Sequence, residues 1–363
     1  MFDELRLTMV RGVGPRLRAA LLEHFGSVEA VLAAPIAELA QVPGIGRKLS
    51  AAIREAPSVA DVREEIECCR QHGIELVTES HVDYPQRLRE IIDPPGLLFV
   101  RGRLLGQDGM AVAIVGSRHA TTYGLEQAER LARSLARAGL TIVSGLARGI
   151  DAAAHRGALA VGGRTLAVLG SGLASIYPPE HRRLADEVAA SGALVSELAP
   201  RVEAMGSTFP QRNRLISGLS LGVIVVEAAL RSGALITARH AMEQGREVLA
   251  VPGRIDNRLA RGCHRLLRDG AKLVESVDDV LEELGPLASP APDGEGRPIE
   301  RPAELQLNEV ERRVLAAIAR EPTLIDQVVD AVGLPTSQVL STISALEIRH
   351  LVRRTGGAWI QRR

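Results

Sequence analysis

The sequence predicts an α/β protein: a doubly wound parallel sheet, preceded by a helical domain and followed by a small helical domain with a hairpin. Three observations carry this. Between residues 110 and 285, short and nearly continuous apolar runs alternate with segments of helical length, the pattern of strands covered on both faces by helices. In the first 75 residues, two Gly-x-Gly turns interrupt apolar helical stretches. After a stretch rich in Pro and Gly, three helical periods and two short strand-like runs close the chain.

The elements follow in order. Residues 1–75 read as helical. The turns "VRGVGPRLRAAL" (10–21) and "VPGIGRKLSAAI" (42–53) are similar to each other, and their glycines permit a tight hairpin and close backbone approach. This is similar to a SAM-like or tandem helix-hairpin-helix domain. Two readings stand for the turns: backbone N–H groups that hold DNA phosphates, or helix-bundle turns that serve protein contacts. Residues 76–109 carry "DYP", "DPP" and the apolar run "LLFVRG", which together predict an extended connector or hairpin. Residues 110–285 hold the candidate strands: "AVAIVG" (111–116), "TIVSG" (141–145), "TLAVLG" (165–170), "ALVSE" (193–197), "GVIVVEA" (222–228), "EVLAVPG" (247–253) and "KLVES" (272–276). They build a Rossmann-like domain from 76 to 285, with residues 76–109 as its N-terminal extension. Residues 286–304 lack periodicity and read as a flexible linker. Residues 305–363 resemble a winged helix, with Pro335 and Thr336 opening its recognition-type helix and two strands around Gly356-Gly357.

Composition limits the function. The 363 residues suffice for two or three domains, and 46% hydrophobic residues exclude global disorder. Net formal charge is zero, so a broad basic field is excluded and any nucleic-acid site must be a local patch. Nearly all cations are arginines; only Lys48 and Lys272 are lysines. Aromatics are 2%, too few for a binder built on several stacking platforms. Cys68, Cys69 and Cys263 form no framework and no CxxC pair. The start, "MFDELR", lacks signal-peptide character, and Glu227 and Arg231 break the longest apolar run. The expectation is a soluble, reduced, cytoplasmic protein without a membrane span.

In an open parallel sheet, ligands bind beyond the carboxyl ends of the strands. Those exits carry Gly116-Ser117-Arg118, Ser144-Gly145, Gly170-Ser171-Gly172, Ser196-Glu197, Glu227-Ala228 and Pro252-Gly253. Any one glycine there serves a turn; their repetition along one edge points to a phosphate-binding crevice at helix starts. A P-loop motif is absent, and "GSGLAS" (170–175) is a poor dinucleotide fingerprint because Ser175 replaces its third glycine. No cluster has metal-ligand spacing, so neither cofactor nor metal is expected. Asp151 and His155 lie one helical turn apart, either as an acid–base pair or as a helix cap beside a packed imidazole. Cations recur instead: Arg118, Arg148, Arg182 and Arg183, and Arg212 and Arg214 flanking Asn213. A row of arginines over several loops suits an extended polyanion.

The segments "VAIVGSR…TTYG", "IVSGLARGIDAAAH", "LAVLGSGL…YPPE", "FPQRNRLISGLS" and "VVEAALRSGALITARHAMEQGREVLAVPG" resemble the DprA family, the DNA-processing proteins of natural transformation. The likeness spans about residues 82–276 and is highly specific. It implies single-stranded DNA binding in the Rossmann-like domain, a homodimer, loading of RecA recombinase, and no catalysis. The DNA-binding residues implied are Gly116, Ser117, Arg118, Ser144, Gly145, Arg148, Gly170, Gly172, Arg182, Arg183, Arg212, Asn213, Arg214 and His264. Two departures stand out. His181 replaces an Asn common in the family, leaving Arg182 or Arg183 the basic role that follows it. His264 replaces another Asn, and a titrating donor there would make binding pH-sensitive.

Two other functions are consistent with parts of the chain. One is a nucleoside-monophosphate-cleaving enzyme of the lysine-decarboxylase-like fold group, with Glu197 or Glu227 as acid or base; that group's "PGGxGTxxE" is missing here. The other is a duplex-DNA-binding regulator that reads through the winged helix. The acidic Glu309 and Glu311 and the few basic residues on its third helix oppose it.

Overall fold

The computed structural model describes residues 2–284, 309–319, 321–348, 351–356 and 359–362. The expected linker at 286–304 lies outside them. In chain order the first nine strands are β1 (Ile74–Thr78), β2 (Leu97–Gly102), β3 (Ala111–Val115), β4 (Thr141–Ser144), β5 (Thr165–Val168), β6 (Ala193–Ser196), β7 (Gly222–Val225), β8 (Glu247–Ala250) and β9 (Lys272–Leu273). They form one sheet in the order β1-β2-β6-β5-β4-β3-β7-β8-β9. From β6 to β9 every neighbour is parallel. The chain moves outward from β3 in one direction through β4, β5 and β6, then returns and moves in the other through β7, β8 and β9. The switch point lies at β3, where its two flanking connections diverge and leave a crevice beyond the carboxyl ends.

Side chains alternate between the faces. Val112 and Ile114 of β3 pack with Ala128, Leu131 and Leu135 of helix Thr122–Arg137. Ala113 and Val115 pack on the opposite side with Leu215, Ile216 and Leu219 at helix Thr208–Gly218. Fully burying one such leucine contributes about 1.5–3 kcal/mol, so removing its side chain would cost about 2–5 kcal/mol.

The expected connector is a true part of the sheet. β1 pairs antiparallel with β2, and β2 pairs antiparallel with β6, Phe99 opposite Ser196. All four side chains of "LLFV" are buried, and burial on both faces is what draws β2 into the sheet. Residue 75 therefore lies inside β1.

The N-terminal helices serve two cores. Leu5 and Val62, from helices Phe2–Thr8 and Val59–Gln71, pack on the sheet with Phe99, Leu169 and Leu194. Leu21, Val31, Leu39 and Ile53 form a separate core. Its two turns interlock: Gly12 and Gly44 have φ of +99° and +86°. A Cβ at Gly44 would lie 2.9 Å from Leu17, and one at Gly12 would lie 3.3 Å from Leu49. Arg18 donates to Glu4 at 2.7 Å and to Glu79 at 3.2 Å, fastening this unit to the loop after β1.

The C-terminal unit has helices Glu309–Ala316, Ile325–Val332 and Thr336–Ile348 and three strands, β10 (Thr323–Leu324), β11 (Val352–Gly356) and β12 (Trp359–Arg362), in the order β10-β12-β11. Val314, Val328, Ile343 and Ile360 share its core. This is a winged helix with one strand more than the sequence suggests. Among the described residues, no helix is long and apolar enough to cross a membrane, and no cluster of His, Cys, Asp and Glu could hold a metal ion. The three cysteines are free and buried; burial pushes the Cys69 and Cys263 thiols up to about 12.

Candidate functional site

The turn after β3 is packed too tightly for a side chain at its first residue. A Cβ at Gly116 would lie 2.6 Å from Ile150 and 2.9 Å from the Glu227 carbonyl oxygen. The Ser117 carbonyl accepts from Ile150 N at 3.2 Å, and its Oγ accepts from His119 N at 3.1 Å. Thr121 then caps helix Thr122–Arg137. Its N–H and Oγ1 both donate to the buried Glu227 carboxylate, at 2.8 and 2.7 Å, and Asn257 adds a third donor at 3.2 Å. Glu227 thus pins the loop from behind, and Arg118 is left exposed at its tip.

Arg118 borders a cleft of about 590 Å³ in front of the switch point. Its guanidinium lies 4.8 Å from the centre of the Phe209 ring. Arg231, from the turn after β7, lines the same cleft. Ser232 follows and caps helix Gly233–Glu243, accepting from Ala234 N at 3.2 Å. The first-turn N–H groups of such a helix lack intrahelical partners and favour an anion. Arg118 and Arg231 are both exposed, and no ion pair to a carboxylate holds either among the described residues. The carboxylate in the lining is Asp151. It accepts from Gly145 N at 3.1 Å and Ala147 N at 3.3 Å. Burial raises its pKa, and nearby Arg212 opposes that rise. Asp151 therefore braces the preceding loop instead of capping its own helix, whose cap is Gly149. His155 is fully buried with Nδ1 2.7 Å from Thr165 Oγ1. Burial pushes its imidazole down to about 3, so it packs as a neutral ring.

The remaining expected residues divide between the cleft and the framework behind it. Asn213 lines the cleft, and its Nδ2 donates to the Gly233 carbonyl at 3.2 Å. Arg212 also borders it but is only 4% exposed. It donates to the Gly145 carbonyl at 2.8 Å and to the Val168 carbonyl, bracing the exits of β4 and β5. Burial lowers its pKa to about 10. Arg214 is buried and held by Glu197, the Asp93 carboxylate and the Asp93 carbonyl, which ties the β1–β2 connection to the sheet. Ser144 is buried and donates its hydroxyl to the Ile114 carbonyl at 2.6 Å. Gly145, Gly170 and Gly172 make room for close neighbours: Arg212, Phe209 and Pro200. Arg148 is exposed but paired with Glu180. Arg182 and Arg183 are exposed at the start of helix Arg182–Ser191, and Arg183 pairs with Glu187 at 2.9 Å. His264 lies outside the cleft lining, with Nε2 2.9 Å from the Gly253 carbonyl. His181 is buried with Nδ1 2.8 Å from the Leu146 carbonyl, supporting a residue at φ 55°.

Two features escape a sequence reading. Arg231 follows a strand exit just as Arg118 does, so the same rule identifies it, but in sequence it stands out only as a break in an apolar run. Tyr177 and Phe209, far apart in sequence, bring their ring centres to 5.6 Å beside Arg118.

Comparisons with known proteins agree with this architecture. Residues 75–285 match the family model for DNA recombination-mediator protein A. Residues 4–56 match a SAM-like helix-hairpin-helix tandem, and residues 298–358 match the DprA winged helix domain. Protein Smf of Synechocystis is 36% identical, covering 99% of this chain and 98% of that protein. The crystal structure of DNA processing protein A from Streptococcus pneumoniae superposes with a TM-score of 0.68 at 38% identity, covering 77% of this chain and 95% of that one. A solved structure of DNA processing protein A from Helicobacter pylori, a protein with a described single-stranded DNA binding mode, superposes at 0.53 and 30% identity, covering 58% of this chain and 96% of that one. With more than half of its length matched by one family model and nearly all of it by a relative, the chain belongs to the DNA recombination-mediator protein A (DprA) family.

Proposed function

We propose that this protein binds single-stranded DNA in the cleft at the β3 switch point, and that it acts in natural transformation by handing the strand to RecA recombinase. The observation that carries the binding reading is the pair Arg118 and Arg231. They are exposed cations that line the same cleft, beside a helix start, and neither is in a salt bridge among the described residues. The likeness to the Helicobacter pylori protein supports the choice of ligand, and the family supports the recombinase step. Backbone contact of this kind holds a strand without reading its sequence. A homodimer would set two such clefts on one strand and raise avidity through effective concentration.

The protein's role in this reading is binding and not bond cleavage. Glu197 and Glu227, the carboxylates a nucleotide-cleaving enzyme would use, are half-buried and buried, and engaged with Arg214 and with Thr121 and Asn257. Duplex reading through the winged helix is disfavoured because helix Thr336–Ile348 carries no Lys or Arg. The test is fluorescence anisotropy with single- and double-stranded oligonucleotides of equal length, with light scattering on the same samples. Preference for the single strand by a dimer is expected. Preference for duplex, a monomer with undiminished affinity, or free base released from nucleoside monophosphates would overturn the corresponding part.

A further inference from the structure

The carboxyl edge of the sheet continues past β7. β8 runs parallel to β7, so its exit opens on the same side, one strand spacing of about 4.8 Å further from β3. The segment that leaves it, residues 252–260, carries Leu259 into the lining of the cleft that Arg118 and Arg231 share. This segment is fixed at several points. Asn257 donates at 3.2 Å to Glu227, the carboxylate that also holds Thr121. Ala228 N donates to the Leu259 carbonyl at 2.7 Å, and Gly262 N donates to the Ala228 carbonyl at 2.8 Å. The Tyr123 hydroxyl donates to the Pro252 carbonyl at 3.1 Å, and His264 Nε2 lies 2.9 Å from the Gly253 carbonyl. One buried acid and one tyrosine thus tie the β3 and β8 exits together.

Cations crowd this segment and the helix Arg261–Arg268 that follows it. Arg254, Arg258, Arg261, Arg265 and Arg268 are all exposed. Carboxylates engage two of them: Asp256 pairs with Arg254 at 3.0 Å, and Asp269 pairs with Arg265 at 3.6 Å. Arg258 and Arg261, on either side of Leu259, are in no salt bridge among the described residues. We propose that the bound strand runs on past Arg231 over the β8 exit, where Arg258 and Arg261 take its next phosphates. The inference rests on the single-strand reading above, and it lengthens the site from one cleft to a track across three strand exits. The forked guanidinium suits such backbone contacts, which hold a strand without reading its sequence. Because the segment is already anchored, little order has to be gained on binding. His264, outside the cleft lining, belongs to this track as a support for its backbone.

The test uses the full-length chain and a labelled thymidine oligomer over a series of salt concentrations, with urea unfolding to check each variant. Joint replacement Arg258→Ala and Arg261→Ala should weaken binding roughly tenfold. It should also flatten the plot of log affinity against log salt by about 1.4, the share of two phosphates. Arg258→Lys with Arg261→Lys should keep the slope, since the charge remains. Arg265→Ala removes an exposed cation from the same helix that is already paired, so affinity and slope should both stay as in the wild type. Unchanged affinity and slope in the double alanine variant would overturn the track. So would an equal loss in Arg265→Ala, which would show a diffuse effect of charge. In either case a weakened Arg118→Ala protein would leave the cleft standing, whereas an Arg118→Ala protein that also binds normally would overturn the single-strand reading of the cleft itself.

Discussion

Replacing Arg118 by alanine tests the cleft most directly. The side chain is exposed, lies over the Phe209 ring and is in no salt bridge among the described residues, so it is available to a phosphate. A charge-assisted hydrogen bond contributes about 1.5–3 kcal/mol, which corresponds to a loss of roughly ten- to a hundredfold in affinity. Neutralising one fewer phosphate should also flatten the plot of log affinity against log salt by about 0.7. Stability should fall by at most about 1 kcal/mol, because only an exposed cation–π contact is lost. Arg118→Lys separates charge from geometry: the salt slope should persist, while some affinity is lost with the forked donor. The assay is anisotropy with a labelled thymidine oligomer over a series of salt concentrations, paired with urea unfolding of each variant. An Arg118→Ala protein that folds normally and binds with unchanged affinity and slope would refute the cleft as the DNA site.

Further predictions concern the framework around that cleft. Arg231→Ala should act as Arg118→Ala does, and the double variant should flatten the salt plot by about 1.4; no added effect in the double variant would place one arginine outside the site. Arg212→Ala should destabilise the fold by roughly 3–5 kcal/mol, since it leaves two buried carbonyls and Asp151 without their cation; unchanged urea stability with weakened DNA binding would make Arg212 a ligand contact instead. His155 titrates near 3 when folded, below its usual 6.5, so between those values the unfolded chain binds the extra proton. Stability should therefore fall as pH drops from about 6.5 towards 3, by up to about 1.4 kcal/mol per unit, and His155→Gln should flatten that part of the profile. Ending the chain at residue 285 should leave single-strand affinity within a factor of a hundred, about 2.7 kcal/mol; a larger loss would make the winged helix part of the binding site.

The strands from β3 to β8 are legible in sequence because each is covered on both faces and reads as a largely apolar run, whereas β9, Lys272–Leu273, is short and exposed. β1 and β2 are harder to read. Their place in the sheet depends on the pairing of Phe99 with Ser196, a contact between distant segments that no local pattern encodes. The site shows the same division. Glycine and arginine at the β3 exit both border the cleft. An arginine in sequence, however, does not declare whether it faces solvent. Arg212 and Arg214 share "QRNR" yet point into the framework, one towards the β4 and β5 exits and the other onto Glu197 and Asp93. Ser144 likewise looks like a loop donor, but its hydroxyl bonds across to β3. Tyr177 and Phe209, which no local pattern pairs, meet only through the fold.

A chain with no net charge can still attract a polyanion if its carboxylates near the site are engaged and its cations there are not. The structure arranges this. Glu227 holds the Thr121 backbone and side chain and Asn257. Asp151 holds loop amides. Glu197 holds Arg214, and Glu180 holds Arg148. Each of these acids shapes a strand exit, and the hydrogen bonds that do so reduce its reach towards solvent. Arg118 and Arg231 remain at the cleft in no salt bridge among the described residues. Local charge thereby separates from net charge: framework acids position the loops, and on the proposed reading the two cleft arginines would meet the phosphates. It follows that removing a framework acid should damage binding by misplacing an arginine, whereas removing a cleft arginine should damage it by leaving a phosphate unmet. The two losses differ in kind, because only the second must lower the salt dependence.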